Sequence, residues 1–538
     1  MSQDKKSRPY IKLVKIKNFR KFKAFTFTPN EKTNIIAGSN ESGKSSLLEA
    51  IDLVINGNVK RIEALGLEKI FCKETIDSRN LTNHPSIAQL PQLEVDLFLA
   101  NIDSEEFKGT NNLLKQNDFG IRLLIDPNPE LFSELQQILN EGLTVFPFEY
   151  YRVRFTTFAD QQLSPFKKKV SSILIDNSNI SSLSANRDFI NRIYLASLGE
   201  NHLQTKARHS QEYRKIREEF SNKNLHSLTA PIAGATMTVT DMRLSLSTKS
   251  QKEFENDLMV YKKDIPLDEH GMGLQSFIKT EFALSKSKEN FNLILIEEPE
   301  NHLAPDLLKK LISNLSQNID SQLFITTHSS QIATGLALNN MHLLPSSGKE
   351  QPVKLEELAE EETADFFKKA PSNNLIEFAL AKKVILVEGP SEYLLLPLFY
   401  KKVRGSSPDN DQVIIISVGG ICFKRYLDIA LKLKSKVAVI TDNDGDIQTN
   451  CEERYEKYTE NKDICVFCGD TKEDFTFEVT VYKANEELCN NCFTTHHNTL
   501  DYMLKNKTEA AYRLLTSHGE ELRTPSYIVR AINWISAE

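Results

Sequence analysis

The chain has 538 residues, 40% hydrophobic and 26% charged, with a net charge of −7. That length exceeds what one hydrophobic core holds and predicts two to four domains, while the acidic balance argues against whole-surface polyanion binding and leaves room for local basic tracks. No run of about 18 apolar residues is present, so no transmembrane helix is expected; the opening MSQDKKSRPY lacks the apolar core of a signal peptide, and seven cysteines in that setting point to a reducing cytoplasm.

The first basic track comes at once. Residues 5–23 carry nine basic residues and no acid, and residues 10–28 alternate apolar and basic, which predicts strands. Lys167, Lys168 and Lys169 form a second track; the solvated faces of ordinary strands would explain both. Residues 33–40, TNIIAGSN, read as a strand entering a glycine-rich turn, and 44–55, KSSLLEAIDLVI, as the helix after it. The turn and helix start, GSNESGKSS, contain Gly38-x4-Gly43-Lys44-Ser45, a full P-loop in the strand-to-helix context that the motif requires. The glycines let backbone N–H groups approach phosphates, and the helix N-terminus adds its dipole. Lys44 is then expected to reach the β- and γ-phosphates and Ser45 to hold Mg²⁺, with Asn40 and Ser46 in the same ATP-binding stretch.

LEVDLFL (93–99) and YYRVRFTTF (150–158) read as further strands. Residues 185–225 have helical spacing, high charge and a single glycine, and predict a helical insertion spanning about 160–235 within the nucleotide-binding domain. Strands resume at TMTVTDMRLSLST (236–248). HGMGLQSF (270–277), with Gly271, Gly273 and Gln275, reads either as a plain helix cap or as a loose signature segment. FNLILIEEPENHL (291–303) is a buried strand ending in acids: Glu297 stands where a carboxylate is needed near Mg²⁺, and Glu298 where one would polarise an attacking water. SQLFITTHSS (321–330) is another strand, and His328 at its end is suited to contact the γ-phosphate. These residues resemble the ABC and SMC type of ATPase, which usually has Asp where Glu297 stands. By that resemblance 270–277 would close over the nucleotide of a second subunit.

Residues 346–375 are polar and acidic and predict a linker. After it, KKVILVEGPSEYLLLPLFYKK, DQVIIISVGG and SKVAVITDNDGD give strand, helix, strand, helix, strand, a second parallel α/β unit over 376–538. Glu388 ends one strand, Glu392 lies one turn into the next helix, and Asp442 and Asp444 end another strand. Adjacent parallel strands present their C-terminal ends to one crevice, so these acids are expected to converge on one or two Mg²⁺ or Mn²⁺ ions, the arrangement that clamps attacking and leaving oxygens in phosphodiester cleavage. Glu-Gly after one strand and Asp-x-Asp after a later one resembles the Toprim domain of topoisomerases, primases and certain nucleases.

A P-loop ATPase followed by Toprim resembles the OLD (overcoming lysogenization defect) family, through GSNESGKS, IEEPENHL, TTHSS, VEGPSE and TDNDGD. The resemblance implies an α/β chain in three parts: an ABC/SMC-like ATPase domain over 1–345 with a dimerisation insertion, a linker, and a Toprim nuclease. It further implies that Lys507, in KNKTEAAYRLL, neutralises the scissile phosphate and that Glu478, in DFTFEV, follows a short strand and completes the metal shell. The expected activity is an ATP-regulated DNA endonuclease or nickase of phage or plasmid defence, acting as a dimer or tetramer in the cytoplasm, with room for a helicase-like protein or a reverse transcriptase as partner. Two alternatives stand beside it: an ATP-driven clamp that only binds nucleic acid, and a topoisomerase- or primase-like protein. Cys465-x2-Cys468 and Cys489-x2-Cys492 fit zinc-ribbon spacing, but residues three apart on a strand point to opposite faces, which favours buried free thiols.

Overall fold

The computed structural model describes residues 8–537 apart from 40, 57, 78–85, 144, 164–168, 178–182, 199–201, 226–244, 247–253, 286–290, 318–319, 337, 345–350, 355–360, 370–373, 420–421, 434 and 495–497. The chain divides into two compact units, Met1–Asn34 with Gly43–Thr327, and Ile35–Ser42 with His328–Glu538. Among the described residues no helix is long and apolar enough to cross a membrane.

The first unit opens with the antiparallel pair β1 (Tyr10–Phe19) and β2 (Phe22–Phe27). Val14 and Ile16 are buried while Lys17, next along, points outward, as a period of two dictates for a sheet with one wet face; Ile11 is buried too, across a register shift between Ile11 and Leu13. The basic track is partly neutralised here: Lys12 pairs with Asp118, Lys17 with Glu94 and Arg20 with Glu49. β3 (Thr33–Gly38), whose residues from Ile35 on belong to the second unit, enters the P-loop, and the helix Lys44–Asn56 follows in the first. β4 (Leu93–Ala100), β5 (Lys108–Gly109), β6 (Asp118–Pro127) and β7 (Tyr151–Thr157) extend the antiparallel sheet in the order β2-β1-β4-β6-β5, with β7 also on β6. Its buried charges are matched: Arg122 donates to both carboxylate oxygens of Asp96 at 2.7 and 3.0 Å and also pairs with Glu94.

β8 (Ser172–Asp176) is a strand inside the span expected to be a helical insertion. Four of its five residues are apolar or small, too short a run for helical periodicity to betray, and it pairs in parallel with β11. Helices Leu183–Ser197 and His202–Phe220 then occupy the expected insertion. The strands expected at 236–248 lie almost wholly outside the described residues. A ribbon of β9 (Tyr261–Lys262) and β10 (Ile265–Pro266) precedes the helix Met272–Ser285. β11 (Leu293–Glu297) and β12 (Gln322–Thr327) complete the parallel set β8-β11-β12; all five residues of β11 are buried, as a parallel strand covered on both faces requires.

In the second unit β13 (Met341–Leu344) pairs in parallel with β3 and carries β14 (Val353–Lys354) antiparallel on its other edge. The stretch expected as a linker thus holds a strand and, further on, the helix Glu361–Lys369. β15 (Lys383–Val387), β16 (Val413–Ser417), β17 (Lys436–Ile440) and β18 (Ile464–Phe467) form an all-parallel sheet in the order β16-β15-β17-β18. The chain passes from β15 to one side and returns on the other, which opens a crevice at the C-terminal ends of β15 and β17. Helices Pro390–Arg404, Phe477–Ala484, Lys507–His518 and Ser526–Ser536 bury Leu396, Phe399, Val481, Leu514 and Ile532 in one core.

Candidate active sites

The P-loop is held by close packing. A Cβ on Gly38 would lie 2.3 Å from Ser42 Oγ, and Gly43 has φ 103° with the Phe22 ring 2.6 Å from where its Cβ would stand. Only glycine fits both constraints at Gly43. Asn40 lies outside the described residues. Lys44 begins the helix and is buried; burial lowers its pKa against the pull of Glu298, Glu297 and Glu300. Ser45 Oγ donates to the Glu297 carboxylate, and Ser46 follows on the same helix turn.

Glu297 closes β11. Burial, with the nearby charges of Asp176, Glu298 and Glu49, pushes its carboxyl up to about 7 against the Ser45 hydrogen bond. A cation beside it would relieve that penalty, and a hydroxyl next to a carboxylate is a donor set that suits Mg²⁺. Glu298 adopts a left-handed φ of 42°. Its N–H donates to Thr326 O at 2.9 Å, and its carboxylate accepts from Asn301 Nδ2 at 2.8 Å; Asn301 was not among the expected residues. His328 follows β12 immediately and is exposed. Gln275 is buried, its amide donating to the carbonyls of Asp268 and His270, so it caps the turn before its own helix. Gly273 is demanded by packing, since a Cβ would meet His302 O at 2.1 Å.

In the second unit the acids gather where β15 and β17 end. Glu388 Oε1 accepts from Thr441 Oγ1 at 2.6 Å and from the Asp442 N–H at 3.0 Å, which ties the two strand ends together. Asp442 Oδ1 accepts the Phe477 N–H at 2.8 Å, a free donor at the start of the helix Phe477–Ala484. Glu478 therefore lies in the first turn of that helix, not after a strand as expected; it is 4% exposed, and Lys507 Nζ stands 3.0 Å from its Oε2. Glu392, in the first turn of its helix, is 6% exposed, and a Cβ on Gly389 would come within 3.3 Å of its carboxylate.

The electrostatics mark these groups as one cluster. Burial, reinforced by Glu388, Glu392 and Glu478, pushes Asp442 up to about 8, with Lys507 opposing. Burial, with Glu478 and Glu388, takes Glu392 to about 7. Burial works against the Lys507 ammonium, but Glu478, Asp442 and Glu392 hold its pKa above the ordinary value. Among the described residues no three His, Cys, Asp or Glu side chains are drawn together at ion-binding spacing. The donor set nonetheless fits a hard divalent cation: buried carboxylate oxygens whose mutual repulsion a cation would cancel.

Of the aspartates in TDNDGD only Asp442 enters this network. Asp444 is exposed in the turn with φ 46°, its N–H donating to Phe475 O at 3.1 Å, so the expected convergence of the Asp442 and Asp444 pair is not what the loop adopts. An αL residue breaks the strand's alternation and swings its side chain out of register. Asn443, between them, is fully buried and holds the 469–474 loop by donating to Gly469, Thr471 and Asp474 carbonyls. Thr441 and Asn443 escaped the sequence reading, although both stand inside the motif. The cysteines do not form one set: the Cys468 and Cys451 thiols perturb each other, lowering Cys468 and raising Cys451, while Cys489 and Cys492 are buried in the helical core.

The AAA ATPase domain family matches residues 10–225 and 148–333, overlapping segments that cover more than half of the chain. The TOPRIM domain of overcoming lysogenization defect protein-like sequences matches residues 380–444. Endonuclease GajA of Bacillus cereus (strain HuB5-5) is 22% identical, over 95% of this chain and 88% of its own. The Old nuclease of Escherichia phage P2 is 24% identical, over 76% of this chain and 72% of its own. Among solved structures, the C-terminal region of the Burkholderia pseudomallei OLD protein aligns at 18% identity and a TM-score of 0.22, covering 29% of this chain and 97% of that one.

Proposed function

We propose, for a chain that belongs to the OLD (overcoming lysogenization defect) family by its AAA ATPase domain and its OLD-like Toprim domain, that it is a divalent-cation-dependent DNA endonuclease or nickase whose cleavage ATP regulates. Nuclease chemistry belongs to residues 376–538 and nucleotide binding to residues 1–345, with the helices of the 160–235 region joining protomers into a dimer or tetramer. We place its work in the cytoplasm, in defence against phage or plasmid DNA, alone or beside a helicase-like protein or a reverse transcriptase.

The observation that carries the reading is that Glu388 accepts the Asp442 N–H at 3.0 Å, Lys507 stands 3.0 Å from Glu478, and the charges of Glu388, Glu392, Asp442, Glu478 and Lys507 act on one another where β15 and β17 end. Four carboxylates within reach of one another's charge, with Glu392 and Glu478 buried, are too costly to gather for packing alone. Mg²⁺ or Mn²⁺ held by them would supply the charge that stabilises a phosphodiester under attack; Asp444 stands at the exposed rim as a further oxygen donor. Thr441 and the Asp442 amide fix the rotamer of Glu388, and the Phe477 amide fixes Asp442, so the oxygens are oriented before substrate arrives. Lys507, half-exposed and paired with Glu478, can turn its ammonium to the scissile phosphate. In the ATP site Lys44, Ser45, Ser46, Glu297 and His328 bind nucleotide, Gly38, Asn40 and Gly43 shape the loop around phosphate, and Glu298 orients water.

The test is cleavage of one supercoiled plasmid, with Mg²⁺ and with Mn²⁺, by wild type, Asp442→Ala and Lys44→Ala. Asp442→Ala is expected to fall to background while still binding ATP; Lys44→Ala keeps cleavage but loses its response to ATP, because coupling needs differential nucleotide binding to two states. Wild-type cleavage by Asp442→Ala would refute the nuclease assignment.

A further inference from the structure

The end of β8 has no role in the reading above. Its last residue, Asp176, pairs in register with Glu297, just as Ser172 pairs with Leu293. Partners in a parallel register lie about 4.8 Å apart and project from the same face, so Ser172, Asp176, Leu293 and Glu297 share one face. The P-loop helix covers that face. At one end Ser45 Oγ meets the Glu297 carboxylate; at the other Ser172 Oγ donates to Asp52 Oδ1 at 3.0 Å.

These two contacts fix where Asp176 lies. From Asp52 back to Ser45 the helix spans about 10 Å at 1.5 Å per residue, and from Ser172 to Asp176 the strand spans about 13 Å at 3.3 Å per residue. The helix therefore runs back along β8 and brings Ser45 abreast of Asp176 as well as Glu297. The next residue, Asn177, is 1% exposed; its Nδ2 donates to Glu298 O at 3.5 Å, and its Oδ1 is buried with no hydrogen-bond partner. The strand end is thus built around the Glu297–Glu298 turn and leaves a desolvated acceptor there.

We propose that Asp176 is a second carboxylate for the divalent cation that accompanies bound nucleotide, standing beside Glu297. A Glu at the end of β11 is long enough to reach the Ser45 hydroxyl directly, and a shorter carboxylate alongside gives the cation a second oxygen donor on the same face. The competing role is structural: Lys279, 5% exposed on the helix Met272–Ser285, feels the Asp176 charge, and Asp176 would then only be its counter-ion.

The inference rests on residues 38–46 being an ATP site, and the experiment separates the two. Binding of a fluorescent ATP analogue to the full-length protein is measured in EDTA and across a Mg²⁺ titration, for wild type, Asp176→Asn, Lys279→Met and the double variant. Asp176→Asn is expected to raise the Mg²⁺ concentration for half-maximal nucleotide binding about tenfold or more, with affinity in EDTA unchanged; Lys279→Met leaves that concentration within about twofold of wild type. An unchanged Mg²⁺ requirement in Asp176→Asn overturns the proposal, and so does a loss of equal size with and without Mg²⁺, which is the counter-ion's signature. If Asp176→Asn alone does not fold, the double variant, which removes both charges together, carries the same comparison against Lys279→Met. Failure of wild type to bind the analogue sinks the ATP reading and this inference with it.

Discussion

Replacing Asp442 by Asn should make the cation-free protein more stable, although it destroys the site. The carboxyl sits at about 8 when folded, against an ordinary 3.8. A carboxyl raised in the folded state holds a proton that the unfolded chain releases, so between about pH 4 and pH 8 stability falls as pH rises; below and above that window this group adds no slope. One pKa unit is about 1.4 kcal/mol, which sets an upper bound of about 5 kcal/mol at pH 7.5. Residual solvation of a partly exposed side chain brings the expected gain to about 1–3 kcal/mol. Asn keeps an acceptor for the Phe477 N–H, now 2.8 Å from Asp442 Oδ1, so the replacement removes charge and little else. At about 2–4 °C per kcal/mol for a domain of this size, the melting temperature of the second unit in EDTA at pH 7.5 should rise by about 3–10 °C, and the gain should vanish near pH 4. With Mg²⁺ at a hundred times its Kd, wild type gains about 2.7 kcal/mol and Asp442→Asn far less. Scanning calorimetry with EDTA and with Mg²⁺ reads both. A variant that melts lower than wild type in EDTA and keeps the full Mg²⁺ response would show that Asp442 is a structural acid and refute the reasoning.

Gly43→Ala places a methyl into the Phe22 ring at φ 103° and should weaken nucleotide binding by at least about tenfold while cation binding in the Toprim region, followed by calorimetry, is unchanged. Arg122→Met strands Asp96 and Glu94 in the antiparallel sheet; leaving buried charges unpaired costs about 3–5 kcal/mol, to be seen as a lower urea midpoint with Toprim chemistry intact once folded. Purified protein should sediment as a dimer or larger at micromolar concentration, and deletion within 160–235 should yield monomers; a wild-type monomer with and without ATP is the contrary result. Elemental analysis should find no stoichiometric zinc, because Cys489 and Cys492 are buried in the helical core while Cys465 lies on β18 and Cys468 just after it; about one zinc per chain contradicts this.

The sequence by itself determined what depends on neighbours in the chain. The Gly43-Lys44-Ser45 spacing, the apolar run into Glu297, Glu388 before Gly389 and Asp442 after VAVI each need only a strand, a turn and the correct residue types in order, and all stand where their strands end. What only the tertiary structure decided depends on register and on side-chain direction. Two aspartates separated by one residue look equivalent in TDNDGD, yet the positive φ of Asp444 sends it to the surface while Asp442 meets a helix N-terminus 35 residues away. The resemblance puts Glu478 after a short strand, but the amide of Phe477 is used by Asp442 at a helix start, and that bond exists only once β17 is in the sheet. β8 carries five residues and no motif; its importance comes from pairing with β11 across 121 residues of chain, which sets Asp176 beside Glu297. Local patterns fix which chemistry is present, because backbone geometry over a few residues is dictated by sterics and hydrogen bonding within the segment. Which oxygens share a crevice is settled by long-range pairing, where the same short sequence can serve either face of a sheet.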